Sequence, residues 1–363
     1  MSIPIEEILC RESFDHDDIT RLLSIGSDEA PLLKEHACRI MRQYVGDLVY
    51  YRGIIEFSNI CTMDCYYCGI RKSNTNVSSR YSLSKDDIVS TALWCAEQGY
   101  GSIILQSGER RDEEFIDFVE DMVAEIKHRT ISEKLPNGLG ITLGIGEQSL
   151  EVYERLYRAG AHRYLLRIET TNQKLFSRIH PPSQTLSGRI ACLRSLRDAG
   201  YQVGTGVMIG IPGQTIDMLA DDIEFFHDMD IDMIGMGPYI RHPDSAMADL
   251  GMMDTVALLQ LSYNMIAVTR LVLKDVNIAA TTALQALIPD GRERGLGYGA
   301  NVTMPNITPT KVRGEYQLYP GKPCIDENKS ACRECLLRRI KSSGRDVGFN
   351  MWGDAPHAAY RGV

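Results

Sequence analysis

The sequence predicts an α/β fold, a TIM-type (β/α)8 barrel with a helical N-terminal extension and a cysteine-containing C-terminal segment. Three observations carry that prediction. From about Tyr50 onward, short β-rich runs alternate with amphipathic helical patterns, which is how βαβ units and a parallel sheet read in a sequence. The β-rich runs number eight. No low-complexity linker divides the 363 residues, so they read as one barrel with additions at both ends. A doubly wound open sheet is the competing architecture.

The elements follow in order. The first 45 or so residues are helical in pattern. In "SDEAPLLKEHACRIMRQYVG" the acids come early, the basic residues late and a glycine last, as in a capped helix. The strand candidates are "YRGIIEF", "GSIILQ", "GITLGIG", "RYLLRIE", "VGTGVMIG", "DMIGMGP", "VNIAAT" and "ANVTM". Between them lie helical stretches such as "SKDDIVSTALWCAEQGYG", "DEEFIDFVEDMVAEIKHR" and "SGRIACLRSLRDAGY", and another from Met252 to Leu273. The expected organisation is an N-terminal extension over 1–48, the barrel over 49–310 and a closing segment over 311–363.

Composition narrows the function classes. The chain is 44% hydrophobic and 24% charged, ordinary globular usage, with a net charge of −9 from dispersed acids. No basic face for nucleic acid stands out. No apolar run reads as long enough to span a bilayer, and "MSIPIEEILCRES" lacks the basic and apolar regions of a signal peptide. The expectation is a cytoplasmic protein without nucleic-acid or membrane partners.

Ten cysteines in such a chain suggest metal binding or catalysis rather than disulfides. Cys10, Cys38, Cys95 and Cys192 are isolated. Cys61, Cys65 and Cys68 form one group, and Cys324, Cys332 and Cys335 another. The first group lies in "FSNICTMDCYYCGI", directly after the first strand, where barrel enzymes build their active sites. Three thiolates are one short of a tetrahedral zinc site, for which Asp64 and the tyrosines are the near candidates. A 4Fe-4S cluster held by three cysteines keeps one iron open, and an open position marks a reactive site. A zinc knuckle is the competing reading.

"CTMDCYYC", with Tyr67 as the aromatic before the last cysteine, resembles the cluster motif of the radical S-adenosylmethionine (SAM) enzymes. That resemblance implies a 4Fe-4S cluster on Cys61, Cys65 and Cys68. It implies SAM as the ligand of the fourth iron, cleaved to methionine and a 5′-deoxyadenosyl radical, and it implies oxygen sensitivity. Tyr67 would neighbour the adenosyl group. "LQSGER" alone reads as a glycine turn; the resemblance makes Ser107, Gly108 and Glu109 candidates for receiving the SAM ammonium. In "RYLLRIETTN", alternation places Arg167 and Glu169 on one face, where they either form an internal ion pair or meet the charges of SAM. Arg189 would bind the SAM carboxylate bidentately. From "GTGVMIGIPGQT", Met208 and Ile211 would pack on the adenine.

Several longer stretches, among them "GIPGQTIDML", "GMGPYIRHPDS", "AATTALQAL" and "YQLYPGKPC", are similar to the HydE family of FeFe-hydrogenase maturases, relatives of biotin synthase and methylornithine synthase. The resemblance covers nearly the whole chain. It implies assembly of the diiron subcluster from an organometallic, cysteine-bound iron substrate in the barrel cavity. It also implies other hydrogenase maturases as partners and an electron donor such as ferredoxin or flavodoxin. Arg167, Thr142, Thr281, Thr282 and Tyr316 would be the substrate-facing groups, although each threonine also reads as plain strand filling. Cys324, Cys332 and Cys335, spaced Cx7CxxC, would hold an accessory cluster, 2Fe-2S or 4Fe-4S, or a zinc-like knot. Family members often carry His where this chain has Ile168. Two other readings compete: a methylornithine-synthase-like mutase or other radical SAM enzyme on a small amino acid, and a non-catalytic iron–sulfur or zinc protein.

Overall fold

The computed structural model describes residues 3–326 and 329–361. All eight β-rich runs form parallel strands: β1 (Leu48–Ser58), β2 (Ser102–Ser107), β3 (Gly140–Gly144), β4 (Arg163–Leu165), β5 (Gln202–Thr205), β6 (Met233–Ile234), β7 (Asn277–Ala280) and β8 (Val302–Thr303). Each pairs with the next, and β8 returns to β1 through Tyr50–Val302 and Tyr51–Thr303, closing the barrel. Closure leaves the competing open sheet without support. Helices follow the strands, and most open on a side-chain cap. Ser84, Asp112, Ser149, Thr185 and Thr215 each accept the amide of the residue three positions on.

Several strands are shorter than their sequence patterns, β4, β5 and β6 most of all. Beyond Leu165 the chain stays hydrogen-bonded to the β5 side, with Leu166 N on Gly204 O (2.9 Å) and Glu169 N on Gly206 O (3.0 Å). The regular ladder is interrupted, however, because the Thr205 hydroxyl takes the Ile168 amide (3.2 Å). Glu169 then adopts a left-handed φ of 64°. Strand alternation therefore does not govern Arg167 and Glu169. After its own break, the β5 segment continues as Met208–Ile209, paired with Gly237–Pro238 from the β6 segment.

One expectation is corrected. Helix Thr255–Leu273 has 19 residues and a mean hydropathy of 1.5, long and apolar enough by length and composition to cross a membrane. Its window is 78% buried inside the protein. It packs on helices His16–Leu23, Ala30–Tyr44 and Ile216–Asp228, so its all-round apolarity is that of a core helix. Asn264 inside it donates to the carbonyls of Leu23 and Ile25, tying the N-terminal helices to the barrel.

The N-terminal end of the barrel is sealed by the chain's own end. Trp352, Gly353 and Asp354 lie across it. The Gly353 carbonyl accepts from Arg52 (3.0 Å) and Asn277 (2.8 Å), and the Trp352 carbonyl from Ser102 and Arg163 (both 3.0 Å). Asp354 pairs with the fully buried Arg163 guanidinium at 2.6 Å. His162 stacks on Trp352 at 4.5 Å and meets the same carboxylate at 3.1 Å. Burial and the Arg163 charge push His162 down to about 4, so it stays neutral. Burial opposes ionisation of Asp354, but the His162 contact and the Arg163 charge outweigh it and hold the carboxyl below its usual range.

Removing that carboxylate strands a buried guanidinium. Asp354→Asn should destabilise the protein by about 2 kcal/mol, below the figure for a fully buried pair because Asp354 is itself partly exposed. Its depressed pKa makes this stabilisation present above the unfolded carboxyl value and lost only in strong acid. Urea denaturation at neutral and acidic pH should show the gap between wild type and variant closing below roughly pH 4. An equal midpoint at neutral pH would overturn the assignment.

Candidate active site

The cysteine loop follows β1 and is pinned from three directions. Thr62 N donates to Glu109 O after β2 (2.9 Å), Tyr66 N to Ile179 O (2.9 Å), and Gly69 N to Leu318 O (3.0 Å). Two glycines make these approaches possible. A Cβ on Gly108 would fall 2.4 Å from Ile60 O, and one on Gly69 would fall 2.2 Å from Gln317 O. The loop therefore forms part of the wall of a chamber of about 310 Å³ at the C-terminal end of the barrel.

The residues present fit an iron–sulfur cluster. Cys61, Cys65 and Cys68 all line the chamber. Burial pushes the Cys68 thiol up to about 12 and raises Cys61 and Cys65 as well, so three thiolates here need a cationic group between them. Among the described residues, the group whose ligand atoms all fall within 4.8 Å of one another is His16, Asp221 and Glu224, not the three cysteines. The sulfurs are thus spaced more widely than a single ion requires. The Met63 amide lies 3.4 Å from Cys61 Sγ, a donor suited to a cluster-bound sulfur.

One wall beside the loop is charged. Glu109 pairs with Arg111 (2.6 Å), which also reaches Glu147 (3.0 Å). Arg189 holds Glu147 at 2.5 Å and donates to the Arg167 carbonyl. Arg167 pairs with Glu169 at 2.9 Å and donates to Val207 O. Burial raises Glu169 despite its cationic neighbours. Among the described residues, Glu169 Oε2, Arg167 Nε and Gln184 Nε2 are buried without a well-directed hydrogen bond. Buried polar groups left this way beside a cavity fit a polar ligand such as SAM.

The structure brings most sequence-predicted residues together. Tyr67, Ser107, Gly108, Glu109, Glu169, Arg189 and Met208 line the chamber, as do Arg167, Thr281, Thr282 and Tyr316. Ile211 does not; it packs behind the wall with Leu175, Ile179 and Met208. Thr142 lies lower, on a void of about 30 Å³ between the chamber and the sealed end, where its hydroxyl accepts from Arg163 at 3.1 Å. Ile168 is fully buried in the core, off the chamber. Cys324 and Cys335 are half-buried outside the chamber, Cys335 on helix Lys329–Ser342, and the Cys332 side chain lies outside the described residues.

Sequence reasoning missed Glu56, Lys322, Glu147 and Gln184. Glu56 carried a signal: alternation with Arg52 and Ile54 puts an acid on the inward face of an apolar strand. Lys322 carried none, because its partner is 266 positions away.

Comparison with known proteins agrees with this geometry. A family model for the radical SAM superfamily matches residues 55–226. The FeFe-hydrogenase maturase subunit HydE of Thermotoga maritima is 43% identical over 353 residues, spanning 96% of either chain. Among solved structures, methylornithine synthase (PylB) superposes with a TM-score of 0.78 at 21% identity, covering 95% of this chain and 97% of that one. The FeFe-hydrogenase maturase HydG from Carboxydothermus hydrogenoformans gives 0.76 at 20% identity, covering 93% and 78%. The last two share the fold; the first, with the cysteine loop at the chamber wall, places this chain in the HydE family of radical SAM enzymes.

Proposed function

We propose that the chain is a HydE-type maturase that cleaves SAM reductively in the barrel chamber and directs the resulting radical to a precursor of the FeFe-hydrogenase diiron subcluster. The observation that carries the reading is three thiols, not four, set at the wall of the barrel chamber, in a chain 43% identical to a HydE over 96% of its length. When bound, a 4Fe-4S cluster with SAM supplies the electron that breaks the bond between the sulfonium and the 5′ carbon.

The chain's own residues do the rest. Cys61, Cys65 and Cys68 hold the cluster and leave one position for SAM. The Ser107–Glu109 turn and the Arg189–Glu147 pair receive the ammonium and carboxylate of SAM, exchanging internal partners for ligand ones. Glu169 accepts from the ribose hydroxyls, and Tyr67 and Met208 enclose the adenosine. Arg167, Thr281, Thr282 and Tyr316 face the second ligand with a guanidinium and hydroxyls, suited to an anionic, organometallic species. The barrel walls exclude water, so the radical meets its target instead of solvent. Cys324, Cys332 and Cys335 are assigned to an accessory cluster that does not cleave SAM. The electron comes from a small redox protein such as ferredoxin or flavodoxin in the cytoplasm, and the product passes to other maturases.

Anaerobically reconstituted protein, reduced with dithionite and given SAM, should release 5′-deoxyadenosine. No release at full cluster loading would refute the function. Cys65→Ala should abolish release and lower the iron content, whereas Cys332→Ala should largely spare release. Equal loss from both would refute the division between the two cysteine groups. Glu169→Gln should weaken SAM binding about tenfold, the effect expected when a charged acceptor becomes neutral; calorimetry with unchanged affinity would remove Glu169 from the SAM site.

A further inference from the structure

The three cysteine sulfurs are not supported alike. The Met63 amide lies 3.4 Å from Cys61 Sγ, and the Ile70 amide is hydrogen-bonded to Cys68. Both donors are backbone groups two residues further along the chain. Cys65 differs. Among the described residues, the group hydrogen-bonded to its sulfur is a side chain: the thiol donates to Gln184 Oε1 at 3.2 Å. Gln184 is 5% exposed and lines the chamber. Its Nε2 is buried without a hydrogen-bond partner. The backbone on both sides of the contact is fixed. Gln184 N donates to Pro181 O (2.9 Å), the next residue, Thr185, caps helix Leu186–Asp198, and Tyr66 N holds the cysteine loop to Ile179 O (2.9 Å).

This arrangement suits a thiol and not a thiolate. A cysteine gives up its proton when it becomes a metal ligand. Cys65 Sγ is then an acceptor only, and a carbonyl oxygen 3.2 Å away sets lone pairs against lone pairs. The same amide meanwhile carries a buried donor with nothing to bond. The terminal torsion of a glutamine side chain is broad and roughly two-fold. A half-turn about it brings Nε2 to the place of Oε1 and exchanges a repulsion for an N–H···S hydrogen bond. The carbonyl oxygen then stands where the NH₂ group was, and interiors hold an under-satisfied carbonyl more often than an orphaned N–H.

We propose that Gln184 is a positioning residue for the cluster: when Cys65 is a ligand, the Gln184 side-chain amide turns and donates to Cys65 Sγ, supplying the hydrogen bond that Cys61 and Cys68 take from the backbone. The proposal rests on the reading of Cys65 as a cluster ligand. A donor at a ligand sulfur favours the more negative, reduced form of a cluster and so raises its reduction potential. Gln184 thus sets how readily the site is reduced without touching SAM.

The test reads the cluster and not turnover. Protein labelled with ¹⁵N at the glutamine side-chain amides is reconstituted anaerobically and reduced with dithionite. Pulsed EPR of the reduced cluster should show a ¹⁵N coupling. Gln184→Met and Gln184→Glu keep the side-chain length and carry no N–H, so each should lose that coupling at wild-type iron content. The midpoint potential of the same EPR signal should move to more negative values in both, and further in Gln184→Glu, whose carboxylate adds a negative charge. Absence of the coupling in the wild type, its survival in either variant, or an unchanged potential in both would overturn the proposal. The labelled wild type is decisive by itself if neither variant loads a cluster. A ¹⁵N coupling in a signal that SAM leaves unchanged would instead overturn the function proposed above while keeping this contact.

Discussion

The close backbone approach between Gly108 and the Ile60 carbonyl is the constraint on which the site depends. At a built Cβ distance of 2.4 Å, no other side chain fits. This contact, with the two Thr62 hydrogen bonds to Glu109 O, locks the cysteine loop to the end of β2. The cysteine loop and the Ser-Gly-Glu turn are thereby tied directly to each other at the chamber wall.

Charge inside the chamber is partitioned. The wall near β4 and helix Leu186–Asp198 carries Arg167, Arg189 and Glu169, with Glu147 paired to Arg189 and Glu169 to Arg167. The wall near β1 carries Glu56 and Lys322. Between them, Leu165, Leu166 and Met304 contribute apolar surface. Each of these charges has an internal partner, so none stands bare in the wall. Glu169 shows the tension most clearly, because burial raises its pKa while Arg167 and Arg189 oppose the rise.

Stability and function sit at opposite ends of the barrel. The N-terminal end is closed by Trp352, Gly353 and Asp354 against Arg52, Arg163 and Asn277. The segment that precedes this plug in the chain, through Tyr316 and Lys322, supplies the wall of the chamber at the other end. One closing segment thus seals the barrel at the base and lines the chamber at the top. The helix Thr255–Leu273 braces the side, buried under the N-terminal helices.

Much of this was legible in the chain. The eight strands were readable because each is a short β-rich run set among amphipathic helical patterns, and the cysteine loop because thiol spacing is local and chemically specific. Arg167 and Glu169 were named for the wrong reason: alternation fails where Glu169 turns left-handed, and the two meet through an irregular stretch set by the Thr205 hydroxyl. Thr142 was placed one layer too high, since strand pattern tells inward from outward but not depth along the barrel. The sequence by itself determined the barrel, the family and the grouping of three cysteines, because these rest on period, spacing and residue type within short windows. Only the tertiary structure decided which distant charges share a wall, such as Glu56 with Lys322, because barrel closure joins residues whose separation along the chain carries no local signal.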